Sequence, residues 1–274
     1  MDSFLEIFII CLPLGASAGL LAGMLGVGGG VIVVPGLIFI FEWFGVFDNP
    51  LLPSNSLVLF AVGTSMASII FTTGTAAVVH YRRRTIDWNL VQIWVPCLVL
   101  GAIVASLIAQ YIPIQYLKSI VASVIFALAV VMFLNRLPKV KSTTPKKWIP
   151  CALTSSGGLV CGLSGLGGGP VMVPSLLTYK TPVPQATATA SVGAFCLSVC
   201  ATTGYVIAGF GLKFQNSLGF VYLPALIPIV LMSTVFAPLG VRLGRKLSKL
   251  LFVRIFGVLM MVVSLRLYYT ILFG

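Results

Sequence analysis

The chain has 274 residues, of which 59% are hydrophobic and only 8% are charged, and its formal net charge is +12. Soluble domains carry roughly 25% charged residues, so this composition excludes a soluble globular protein and predicts an all-α integral membrane protein with spans of about 20 residues. The basic residues lie in short loops between apolar runs, which indicates membrane orientation and not a nucleic-acid partner.

The N-terminal segment carries Asp2 and Glu6 where a secretory signal peptide carries Lys or Arg, so we expect it to be retained. It leads into GLLAGMLGVGGGVIVVPGL at 19–37, which returns as GLVCGLSGLGGGPVMVPSL at 158–176 with ten of nineteen positions identical. In both copies three consecutive glycines precede an apolar arm that, as a helix, spans about half a bilayer. The sequence therefore predicts two broken hairpins whose tips lie within the membrane.

Three longer apolar runs follow each hairpin, and the two halves match again at VGTSMASIIFTTG and VGAFCLSVCATTG. The predicted spans are 56–81, 88–109, 117–134, 186–209, 220–241 and 251–272. Internal symmetry of this kind is typical of duplicated transporter folds. We therefore predict a first repeat at 1–135, a basic cytoplasmic linker at 136–148 and a second repeat at 149–274.

Loop charge predicts how the two repeats are oriented. The loop at 80–87 holds three arginines whereas its counterpart at 209–217 holds one lysine, and the basic loop at 242–249 corresponds to an uncharged loop at 108–116. Short cytoplasmic loops are enriched in Lys and Arg, so corresponding loops lie on opposite sides of the membrane. The sequence thus predicts inverted repeats, with both termini and the loop at 42–56 outside.

The consecutive glycines predict an anion-binding site. Irregular backbone within a membrane must be buried in protein or line a wet cavity, and glycines can turn several N–H groups towards one point beside a helix N-terminus. Two such tips form a neutral site with partial positive charge. The candidate substrate-binding residues are the tips and nearby hydroxyls: Gly28, Gly29, Gly30, Gly167, Gly168, Gly169, Thr64, Ser65 and Thr203. The alternative, close helix packing, is the interpretation that we favour for Gly15, Gly19 and Gly23, which are spaced by four.

Together, the paired glycine segments, the VGTS and TTG motifs and the HYRRRTIDW loop resemble the sulfite exporter TauE/SafE family over nearly the whole chain. The resemblance implies a secondary transporter of a small sulfur-containing anion (sulfite, a sulfonate, sulfoacetate or thiosulfate) in a prokaryotic plasma membrane. Family members differ in substrate and in direction of transport, so the resemblance implies neither the exact substrate nor the direction for this chain. The second half departs from the pattern by reading VGAF where the first reads VGTS, which leaves symmetric hydroxyl ligands open.

The remaining polar residues narrow the function. No Asp or Glu lies deep in a predicted span, which suits an anion path and argues against a cation path. His80 fits an interfacial or a proton-coupling group, and Asn55 and Gln185 fit helix caps or ligand contacts. We expect no cofactor, no metal and no enzyme activity, since no catalytic constellation is present. An anion channel is the alternative, and the coupling ion (proton or sodium) and the oligomeric state stay open.

The cysteines all lie in apolar runs, where cysteine most often acts as a small packing residue. They are Cys11, Cys97, Cys151, Cys161, Cys196 and Cys200. Their spacing indicates neither a disulfide nor a redox compartment.

Overall fold

The fold is mostly helical, in a computed structural model that describes residues 2–25, 28–47, 56–134, 148–179, 181–211, 214–243, 258, 261–262, 264–265 and 268–269. Its helices are α1 (Asp2–Leu25), α2 (Gly30–Trp43), α3 (Ser56–Arg82), α4 (Trp88–Ile108), α5 (Ile114–Leu134), α6 (Trp148–Ser164), α7 (Gly169–Thr178), α8 (Val183–Ala208) and α9 (Leu223–Leu243). The predicted linker, except Trp148, and most of the predicted span at 251–272 lie outside the described residues.

Helices α1, α3, α4, α8 and α9 are long and apolar enough to cross a membrane. This confirms the prediction in its coarser form, a mostly helical protein with several membrane-length helices. Between α8 and α9 the chain also forms a short antiparallel pair that the sequence did not predict, β1 (Ser217–Leu218) with β2 (Val221–Tyr222).

Each glycine segment forms two helices separated by a break, as predicted. The second arms are short, with 14 residues in α2 and 10 in α7, and Pro170 lies in the first turn of α7. Proline fits there because the first N–H groups of a helix have no partner within the helix.

Helix α1 packs lengthwise on α9 through glycines spaced by four. Gly15, Gly19 and Gly23 face successively later residues of α9, and a methyl group added at Gly19 would lie 2.6 Å from the Ser233 Cα. The two helices therefore run parallel at backbone contact distance. The prediction that these three glycines serve close packing is confirmed.

Helix α6 packs on α4 in the same way, with Gly158 against Leu98 and Gly162 against Ala102, so this pair is also parallel. A disulfide between Cys97 and Cys151 joins the two helices, with their Cα atoms 5.2 Å apart. The expectation that all the cysteines act as packing residues is therefore wrong for this pair, which becomes adjacent only because α4 and α6 pack together.

The equivalent helices α3 and α8 pack against each other in opposite directions. The ring centroid of Phe60, near the start of α3, lies 5.5 Å from that of Phe220, which follows the end of α8. The ring centroid of Phe47, which precedes α3, lies 4.9 Å from that of Phe214, which like Phe220 lies between α8 and α9. Helix α3 is more buried than α8, so it forms the centre of the described fold.

The packing of α1 on α9 predicts the effect of one added methyl group. In Gly23→Ala the new Cβ would overlap the Ala237 carbonyl and lie 2.8 Å from the Val241 amide nitrogen. Since overpacking costs typically about 1–3 kcal/mol, we expect the free energy of unfolding to fall by that amount, measured by thermal melting in detergent. The matched control is Gly74→Ala in α3, whose Cβ would meet only the Phe195 ring at 3.4 Å, an ordinary contact. Equal melting temperatures in the two variants would contradict this account.

Candidate functional site

The two glycine tips have the same backbone conformation. Gly29 and Gly168 precede α2 and α7 as N-caps, each with φ of 76°. Gly28 and Gly167 also have positive φ, at 87° and 73°. This conformation explains the first two glycines of each tip, because L-residues with a side chain rarely adopt positive φ.

Both tips are buried and lie against the middle of α3. A methyl group added at Gly28 or at Gly167 would lie 3.0 Å from the Cγ2 of Ile69, which is the midpoint residue of α3. The tips also meet directly, since a methyl group at Gly30 would overlap the Gly165 carbonyl. One isoleucine side chain therefore occupies the space between the two tips.

Ser65 is the predicted hydroxyl that reaches a tip. Its Oγ donates a hydrogen bond of 3.0 Å to the carbonyl oxygen of Gly165, and the serine is fully buried. Sequence reasoning missed Gly165, although the motif G-x-G-G-G recurs in both copies and would have identified it. The matching Gly26 lies outside the described residues.

The other two predicted hydroxyls are engaged elsewhere. Thr64 Oγ1 accepts a 2.9 Å hydrogen bond from the Tyr222 amide, so it holds the segment that precedes α9. Thr203 is exposed and donates to the Val199 carbonyl of its own helix. Phe195 and Ile207 are exposed on the same face of α8, so Thr203 lies on an apolar surface and not among the tip contacts. We therefore leave Thr203 out of the proposed donor set.

A line of buried hydroxyls continues along α3 from Ser65. Ser68 and Thr72 lie within hydrogen-bond distance of carbonyls of their own helix, and the Thr72 and Ser233 hydroxyl oxygens share a 2.9 Å hydrogen bond between α3 and α9. Thr72 belongs to the TTG motif, whereas sequence reasoning missed Ser68 and Ser233. Only the packing of α3 on α9 brings Ser233 to Thr72. Among the described residues, three further buried hydroxyls have no hydrogen-bond partner: Thr189, Thr202 and Thr234.

The site is electrically neutral. The sequence of α3 from Ser56 to Val79 contains no charged residue. The available polar groups are hydroxyls and the first amides of α2 and α7, which carry the partial positive charge of a helix N-terminus. Such an arrangement of donors can bind an anion.

Comparison with known proteins finds one matching family model and several similar transporters. The family model described as sulfite exporter TauE/SafE matches residues 11–267. A probable membrane transporter protein of Haemophilus influenzae is 29% identical over 95% of this chain and 97% of its own. Probable membrane transporter protein MJ0441 of Methanocaldococcus jannaschii is 29% identical over 88% of this chain and 89% of its own. Probable membrane transporter protein YunE of Bacillus subtilis is 25% identical over 97% of this chain and 99% of its own. No solved structure matches the chain.

The Ser65 contact predicts a difference between two buried serines of one helix. Ser65→Ala removes the side-chain donor of the Gly165 carbonyl, and a buried acceptor left unsatisfied costs about 1–3 kcal/mol. We expect that loss of stability in thermal melts. Ser68→Ala is the control, because Ser68 donates only to the Ser65 carbonyl within α3 and should change stability little. A larger loss in Ser68→Ala than in Ser65→Ala would contradict the assigned role.

Proposed function

Since this chain belongs to the sulfite exporter TauE/SafE family of membrane transporters, we propose that it is a secondary transporter of a small sulfur-containing anion. Sulfite, sulfonates, sulfoacetate and thiosulfate are the candidate substrates. The observation that carries the proposal is the pair of neutral glycine tips that meet at the midpoint of α3. The bacterial and archaeal relatives support a prokaryotic plasma membrane as its location.

In this proposal the tip amides bind the anionic head of the substrate. The tip glycines are Gly28, Gly29, Gly30, Gly167, Gly168 and Gly169. An anion that leaves water must regain hydrogen bonds, and those to charged groups contribute roughly 1.5–3 kcal/mol each. A neutral hydrogen bond contributes only about 0.5–1.5 kcal/mol, so a bond from Ser65 to the anion is stronger than its present bond to the Gly165 carbonyl. That carbonyl then needs another donor, because a buried unsatisfied acceptor costs about 1–3 kcal/mol. Thr64 can also donate, because its oxygen accepts from Tyr222 and leaves its proton available.

Ile69 controls access to this site in the proposed mechanism. Its side chain fills the space between Gly28 and Gly167, so the described packing has no room there for an anion. Substrate can reach the amides only when α3 and the tips move apart. This tight contact favours a carrier over the anion channel, because a channel needs a continuous open path.

We further propose that the halves are inverted repeats that rock against each other. The support comes from helix directions: α1 runs parallel to α9, α6 runs parallel to α4, and the equivalent helices α3 and α8 run antiparallel. In such folds the substrate lies where the repeats meet, which fits the position of Ile69 at the midpoint of α3. Loop charge favours both termini and the 42–56 loop outside, and the coupling ion stays open between proton and sodium.

Transport by this protein is expected to need no ATP, because the sequence has no phosphate-binding loop. Proteoliposomes without nucleotide should take up labelled sulfite or thiosulfate in a saturable way and show counterflow. Competition by sulfoacetate, taurine and simple carboxylates then ranks the substrate classes. Flux that appears only with ATP would contradict a secondary transporter, and ohmic current without saturation would favour the channel.

Gly168→Ala should impair binding in a protein that still folds, although alanine at this positive φ costs about 1–2 kcal/mol of stability. The added Cβ would meet side-chain carbons of Leu197 and Leu98 at 3.0 and 3.1 Å, which can shift, but it lies at a positive φ beside the tip amides. We expect at least about a tenfold loss of anion affinity, where tenfold equals 1.4 kcal/mol. Gly29→Ala is less selective because its Cβ would lie 2.7 Å from the Ala18 carbonyl oxygen.

The matched control for the tip variant is again Gly74→Ala, the same substitution at a position of α3 whose Cβ faces the Phe195 ring and not a tip glycine. It should bind and transport like the parent. If Gly168→Ala also does so, the tips are packing devices and the anion binds elsewhere.

A further inference from the structure

An open cavity of about 450 Å³ lies where α3 ends and α4 begins. It is lined by Tyr81, Arg82, Arg84, Ile86 and Trp88. Because α3 and α4 both have membrane-spanning length, the turn between them lies at a membrane surface. The cavity is thus far from the glycine tips, which lie at the midpoint of α3. The proposed transport mechanism does not use it.

The charges around this cavity favour an anion. Within the part of the chain that the structure describes, Arg82 and Arg84 form no side-chain hydrogen bond or ion pair. The ion pair found there joins Lys118 to Glu42. Asp87 is the nearest acid in sequence, and its carboxylate accepts hydrogen bonds from the Asn89 and Leu90 amides at the start of α4. Two guanidinium groups are therefore free to bind a phosphate, for which their planar fork is well suited.

The backbone at Arg84 is an independent sign of function. Arg84 has φ of 53°, and its amide bonds to the Tyr81 carbonyl while the Thr85 amide bonds to the His80 carbonyl. These two bonds form a helix C-terminal motif whose left-handed position is usually glycine. An arginine here costs backbone strain that a glycine would avoid, which makes its side chain a candidate for a functional role.

The size and surroundings of the cavity indicate what binds. A volume of about 450 Å³ falls in the range of roughly 300–1,000 Å³ that accommodates organic ligands and exceeds the needs of a lone inorganic anion. Tyr81 and Trp88 are 64% and 53% exposed, as aromatic residues at the headgroup level of a bilayer are. We propose that this cavity binds the headgroup of an anionic phospholipid and that Arg82 and Arg84 donate hydrogen bonds to its phosphate.

The test measures binding of dioctanoyl phosphatidylglycerol, dioctanoyl phosphatidylcholine and inorganic phosphate to the full chain in neutral detergent by calorimetry. We expect phosphatidylglycerol to bind at least tenfold more tightly than the other two. Arg84→Gly should reduce that affinity at least fivefold while thermal stability stays equal or rises, because glycine relieves the strained position. Arg82→Gln should give a similar loss from a residue with helical backbone.

Arg83→Gln is the matched control, since it removes the same charge from the same loop but Arg83 does not line the cavity. Its affinity should stay within twofold of the parent. Equal losses in Arg83→Gln and Arg84→Gly would overturn the proposal, because loop charge alone would then explain binding. Phosphatidylcholine binding as tightly as phosphatidylglycerol would overturn the proposal as well. Inorganic phosphate binding as tightly would also overturn it, because the cavity would then be a site for a free anion.

Discussion

Backbone amides that leave a helix inside a membrane must find partners within the protein, because lipid supplies none. This requirement explains why two helix breaks of the chain are buried together against one helix, α3. Contact at that distance requires glycine on both sides, since a methyl group at Gly30 would overlap the Gly165 carbonyl. The Ser65 hydroxyl then satisfies that carbonyl, so one hydrogen bond joins a helix of the first half to the tip of the second.

Close packing between the halves follows the same principle on a larger scale. Association of helices in lipid depends on van der Waals contact and small residues, and here α1 on α9 and α6 on α4 both use glycines spaced by four. These parallel pairs connect the halves along their length and leave α3 at the centre. The glycines thus do two different things. Gly28, Gly29, Gly167 and Gly168 adopt positive φ at the tips, whereas Gly30 and the glycines along the helices are needed because a side chain would clash there.

The two halves are similar without being equal. Where the first half has Ser65 and Ile69 against the tips, the second has Phe195 and Val199, each 37% exposed. Both tips therefore lie against α3, not symmetrically between α3 and α8. An anion site built on this arrangement takes its hydroxyl donors from the first half, which agrees with the departure of VGAF from VGTS in the sequence.

The sequence by itself determined the membrane class, the breaks at the two glycine segments, the packing glycines and the resemblance to the family that the match over 11–267 then showed. These features follow from local composition and periodicity, which act within a single helix or turn. Only the tertiary structure decided that Ile69 fills the space between the tips, that Cys97 is bonded to Cys151, and that Thr203 lies on an exposed face. The Ser65 hydroxyl and the Gly165 carbonyl are 100 positions apart. Contacts of this kind depend on how whole helices are placed against each other, and hydrophobic periodicity shows which face of a helix is buried but not which partner covers it.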